Sequence, residues 1–165
     1  MAILTLLCLK NNYSQELDYR AQSLFIYKFT KYIVWPENKL KGDFVIGVYG
    51  NSPLYDELVL MASLKKAGND QNIVVKEVRD EDDLSGFHLI YVPASKSRQI
   101  NGISEKVGDL PVVIVAEREG LARKGATINF IILENNVLKF EVNVDKLTRQ
   151  KLSISDELLK LGFKV

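Results

Sequence analysis

Apolar positions recur along the chain in two periods, and the switches between them mark the elements. Over 17–34, Leu17, Ala21, Leu24, Phe25, Phe29, Tyr32 and Ile33 return every three or four residues, the spacing of one face of an α-helix. Ile26 and Tyr27 widen that face, so the helix is expected to be buried on more than one side. Pro36 follows Trp35. A residue before proline is pushed out of the helical conformation, so the helix should end near Trp35.

Strands and helices then alternate. Phe44, Ile46 and Val48 give period two over 43–49, a strand, and Gly50-Asn51-Ser52-Pro53 is a turn. Ser52 is placed to cap the next helix, with Pro53 at its first position, where the missing N–H costs nothing. That helix should run to about Lys66, with Leu54, Leu58, Met61 and Leu64 on one face. Strands are expected over 73–78, 88–92 and 111–116, with a modest helix over 98–107 weakened by Gly102. The β-branched run of the 111–116 strand implies burial on both faces. The pattern changes after that. Two alternating runs, 126–133 and 137–144, flank Glu134-Asn135-Asn136, which reads as a β-hairpin. Helices over 145–151 and 155–161 close the chain, ending at Gly162. The expected fold is a single-domain α/β sandwich. Its sheet is mixed, parallel in the middle, with a C-terminal hairpin followed by helices.

Composition narrows the function. The chain has 165 residues, 47% hydrophobic and 26% charged, which fits one globular domain. Its 22 basic and 21 acidic residues leave a formal charge of +1. No field strong enough to gather nucleic acid or anionic lipid follows from that balance. Cys8 and His88 are each the sole residue of their type. An intramolecular disulfide is thereby excluded, and no metal or other cofactor is expected.

The N-terminal run 2–9 is apolar and is followed by polar residues 10–15. It is too short to span a bilayer, and it fits the tail of a signal-peptide hydrophobic region. A basic leader is lacking, so 1–15 reads as a truncated signal remnant before a domain over 16–165. A buried first strand is the other reading of the same run.

Several residues carry candidate chemistry. Gly50, Asn51 and Ser52 form a strand-to-helix turn of the kind whose free backbone N–H groups can hold an anion or small polar ligand. A plain capped turn is the simpler reading, since neither a Walker loop nor a Gly-x-Gly-x-x-Gly fingerprint is present. His88 opens an apolar strand and reads as a satisfied structural residue; with no nucleophile motif beside it, no catalytic residue is assigned. Asn129, Glu141 and Asn143 fall on one face of the predicted hairpin. They are either its solvent face or a polar cluster fixing a neighbouring loop or ligand. Trp35 either plugs the core beneath the first helix or anchors an interface. Tyr27 lies off the main apolar face and is the better candidate anchor for a partner.

The segment Lys28-Phe29-Thr30-Lys31-Tyr32-Ile33-Val34-Trp35-Pro36 is similar to the opening signature of YfiR-like proteins, an aromatic helix ending in Trp-Pro. Phe44 to Gly50 with Ser52-Pro53, then His88 to Val92, resemble that family's strand, turn and apolar third strand. Gly125 to Phe130 with Leu138 to Asn143 resemble its hairpin, and Leu152 to Ser155 with Leu158-Leu159 its closing helix. The resemblance covers about 17–165 and rests on order and spacing, since each motif alone is common. It implies a non-catalytic, exported, periplasmic domain. Such a domain binds and restrains the sensor part of a membrane-bound signalling enzyme, a diguanylate cyclase of cyclic-di-GMP signalling or a sensor kinase. The cysteine pairs of some members are missing here, so redox control through disulfides is not implied. Expected partners are that sensor domain and a second copy of the chain, with no nucleic acid and no membrane span. The alternative is a receptor for an anion or nucleotide-like ligand, its pocket at the strand ends near Gly50–Pro53.

Overall fold

The computed structural model describes residues 18–165; the expected signal remnant and Leu17 lie outside them. Helix α1 spans Tyr19–Tyr32, opened by Asp18, whose side chain accepts from the Ala21 N–H at 2.9 Å. It gives way at once to β1, Ile33–Val34. Then come β2, Phe44–Tyr49, helix α2, Leu54–Leu64, and β3, Ile73–Val78. Next are β4, Leu89–Val92, α3, Ile100–Val107, and β5, Val113–Ala116. The hairpin is β6, Ile128–Ile132, and β7, Leu138–Val142. The chain ends with α4, Val144–Arg149, β8, Ser153–Ile154, α5, Asp156–Leu159, and β9, Phe163–Lys164.

Seven strands form one sheet in the order β3-β2-β4-β5-β6-β7-β9, and β1 and β8 form a separate antiparallel pair. Only β6 and β7 run antiparallel within the large sheet. The expected mixed α/β sandwich with a parallel centre is therefore what forms. Alternation along the central strands builds two cores. Ile46, Leu89, Tyr91, Val113 and Val115 face α1, α2, α4 and α5. Ile90, Val92, Ile114 and Ala116 face α3 and the 3₁₀ turns. The near-continuous apolar runs of β4 and β5 follow, because both faces of a covered parallel strand are dry.

Three local differences from the sequence pattern have physical causes. Helix α1 stops at Tyr32 rather than near Trp35, because Ile33 and Val34 pair with Ile154 and Ser153 from the far end of the chain. Leu24, Tyr32 and Leu64 are exposed although the periodicity places them on buried faces; the buried stripe of α1 runs instead through Gln22, Ile26, Phe29 and Thr30. The strands β8 and β9 follow segments whose apolar content is too short to signal a strand.

Candidate functional site

The connections from β2 to β3 and from β4 to β5 leave in opposite directions across the sheet order. The carboxyl ends of β2 and β4 thus form the crevice where open α/β sheets bind ligands. Gly50, Asn51 and Ser52 sit there. Gly50 has φ of 74°, in the left-handed region open to glycine, and Lys96 lies across it, close enough that an added Cβ would be 2.8 Å from its Cε. Ser52 is buried; its Oγ accepts from the Leu54 N–H at 3.2 Å and its carbonyl from the Tyr55 N–H at 3.0 Å. The first amides of α2 are thereby used, Pro53 has none to offer, and Asp56 and Glu57 occupy the first turn. The turn is built as a cap, with carboxylates in its first turn and the Lys96 side chain across Gly50.

Beside it lies a buried polar chain that the sequence pattern did not single out. The Tyr91 hydroxyl donates to Gln22 Oε1 at 3.2 Å, and Gln22 Nε2 donates to Glu117 Oε2 at 3.2 Å. Glu117 Oε1 accepts from the Ala94 N–H at 2.8 Å. Tyr91 and Gln22 are both fully buried. Burial, with the nearby Glu117 carboxylate second, raises both Tyr91 and Tyr19 above the usual phenol range, so both stay protonated. The chain ties the first half of α1 to the ends of β4 and β5. The signal for it was one glutamine inside an apolar helical stripe.

Tyr27 and Trp35 have different surroundings. Trp35 is 5% exposed; its ring meets Phe44 edge-on at 5.0 Å and lies 6.1 Å from His88. It belongs to the core. Tyr27 is half-buried, with Lys31 Nζ and Lys65 Nζ at 5.8 and 5.6 Å from its ring centroid, within reach of a cation–π attraction. Together with Leu24, Lys28, Lys31 and Tyr32 it lines a surface depression of about 580 Å³. Leu24 is 52% and Tyr32 39% exposed, so α1 keeps apolar surface in water outside its buried stripe.

In the hairpin, Asn129 and Glu141 stand opposite each other, with Asn129 Nδ2 donating to Glu141 Oε2 at 3.4 Å. Asn143 is not part of that pair. Its side chain accepts from the Lys146 N–H at 2.9 Å, capping α4, and donates to the Ala122 carbonyl at 3.0 Å. It fixes a neighbouring loop.

Buried basic groups complete the chemistry. His88 Nδ1 accepts from the Val45 N–H at 3.1 Å, and Nε2 donates to the Lys39 carbonyl at 2.8 Å. Both nitrogens are spent, and burial lowers its pKa, so it is a neutral strut. Lys146 Nζ donates to Ser104 Oγ. Burial first, and Arg149 second, lower this amine to about 8. A lysine on a serine is the pairing of a base with a nucleophile; here Gly125 packs against the partly exposed Ser104. Among the described residues no group of three His, Cys, Asp or Glu is placed to hold a metal ion, and no helix is long and apolar enough to cross a membrane.

An aromatic helix with a short strand and Trp-Pro after it, a capped turn at the sheet's switch point and an Asn/Glu hairpin stand in one sandwich. The family described as YfiR/HmsC-like matches residues 19–162. The chain belongs to this family. That match takes in every helix and all strands of the large sheet except β9. No curated protein matches the chain.

Proposed function

We propose that this YfiR/HmsC-like chain is a non-catalytic periplasmic regulator that binds and restrains the sensor part of a membrane-bound signalling enzyme. A diguanylate cyclase is the partner class that family membership suggests, with a sensor kinase next. The observation that carries the reading is the outer side of α1, where Leu24, Tyr27 and Tyr32 form an apolar depression rimmed by Lys28 and Lys31. A half-buried tyrosine in such a setting is the residue type that dominates binding energy at interfaces. With a formal charge of +1, long-range steering is weak, so recognition rests on these short-range contacts.

The receptor alternative draws little support from the turn at Gly50, Asn51 and Ser52, because the first amides of α2, at Leu54 and Tyr55, are taken by Ser52 itself. The test is the affinity for the partner's sensor domain, read beside thermal unfolding. Tyr27→Ala is expected to cost about 2 kcal/mol or more of binding while the fold stays nearly as stable. Trp35→Ala is expected to cost about 3–5 kcal/mol of stability, as a large core truncation does. Normal binding by Tyr27→Ala would remove α1 from the interface.

A further inference from the structure

Strand β6 is paired on one side along its whole length and on the other only at its start. Against β7, the register runs from Ile128 to Ile132. Against β5, it holds only Ile128 and Asn129. Across the hairpin the Leu133 N–H donates to Val137 and the Asn143 N–H to Thr127. Odd-numbered residues of β6 therefore spend their backbone groups on β7, and even-numbered ones turn the other way. Ile132 turns toward a stretch where β5 has already ended, and it has no backbone partner on that side among the described residues.

A groove of about 440 Å³ runs along this stretch. Five consecutive residues, 130–134, line it. Side chains of a strand alternate between faces, so consecutive residues can share one groove only if it follows the strand's edge. The remaining wall carries charge of one sign: Glu117, Glu119, Glu134 and Glu141 line the groove, and no basic residue does. Asn129 adds an independent mark. It is fully buried beside this wall, its amide nitrogen on Glu141, and its Oδ1 has no partner among the described residues.

We infer that this slot takes an extended, basic segment of a partner protein as an added strand alongside β6. Main-chain bonds to the open edge at Ile132 would hold it, as in strand addition generally. Lysine or arginine side chains would meet the four glutamates, and alternate apolar side chains would reach the floor at Phe130. This surface differs from the outer side of α1, so the two can fail separately.

The probe is a capped octapeptide alternating valine and lysine, titrated into the full chain by calorimetry, with amide exchange followed in parallel. Binding is expected to protect the Ile132 amide, to weaken as salt rises, and to vanish for a valine–glutamate peptide. Two changes should each weaken it at least tenfold: the exposed pair Glu119→Lys with Glu134→Lys, and Ile132→Pro. The proline removes a donor that serves no strand of the fold, a position where edge strands tolerate it. If Ile132→Pro misfolds, the glutamate pair decides alone. The inference is overturned if the lysine peptide does not bind, if the variants bind it equally, or if protection appears on α1 instead. It is also overturned if the free chain is a dimer that Ile132→Pro dissolves, since a second copy would then fill the slot.

Discussion

Single residues in this chain are best understood by what burial does to them. Lys146 is 6% exposed, yet its amine keeps one strong acceptor, Ser104 Oγ. Its folded pKa, about 8, lies below that of an unfolded lysine, 10.5. Between those two values the unfolded chain holds a proton that the folded chain has released. Stability then rises with pH across that window. Lys39 has the same sign, its amine lowered by burial while it donates to the Phe87 carbonyl at 2.8 Å. The expected result is a gain in denaturant midpoint from pH 8 to pH 10 that is smaller in Lys146→Met than in the parent. Equal slopes would mean that the amine is solvated after all. Residue-scale features such as this are poorly legible in sequence. A lysine three residues after Asn143 reads as a solvated helix position, and nothing local reports that α3 brings Ser104 to it. Gln22 was legible in principle. It stands four residues before Ile26 and seven before Phe29, in the buried stripe itself, but the abundance of apolar residues on α1 obscured which stripe was buried.

At the scale of elements, local signals located what they could govern. Period two marks β2, β6 and β7, continuous apolar runs mark β4 and β5, and the hairpin is plain because both its strands and its turn are contiguous. The short pairs were not plain. Ile33–Val34 becomes a strand only because Ser153–Ile154 arrives beside it, and the register of β9 against β7 holds only Phe163 and Lys164. In sequence, Gly162 marks the end of a helix. Its larger role is to let β9 approach the sheet. A Cβ there would lie 2.5 Å from Phe140 Cε2 and 2.7 Å from the Phe140 carbonyl oxygen. The ring is fully buried and the oxygen belongs to the backbone, so neither can yield cheaply. Gly162→Ala is expected to cost about 1–3 kcal/mol, the range of overpacking. Chemical denaturation would measure that loss, and amide exchange should place it at Val165, whose N–H donates to the Val142 carbonyl. A neutral substitution would show that β9 is already loose in solution.

The whole molecule is two cores sharing one sheet, and that arrangement limits how it can act. Leu89 and Tyr91 belong to the core under α1 and α2, while Ile90 and Val92 belong to the core under α3. The same alternation holds in β5. One face cannot melt while the other stays packed, because the strands that would lose their cover are the ones that carry the second core. That coupling predicts unfolding in a single step. Trp35 gives a test without added labels, since it is the sole tryptophan and sits in the first core against Phe44. Its fluorescence should change with the same midpoint as far-ultraviolet circular dichroism. Amide exchange at Ile114 in the second core should report the same free energy as that midpoint. Separate transitions would mean that the cores are independent and that regulation by local unfolding is open to this fold. Coincidence would mean, under the proposed function, that the chain docks as a rigid body. Its partner would then be freed by competition for an outer surface, the α1 depression or the open edge of β6. In thermodynamic terms that is a shift between bound and free populations.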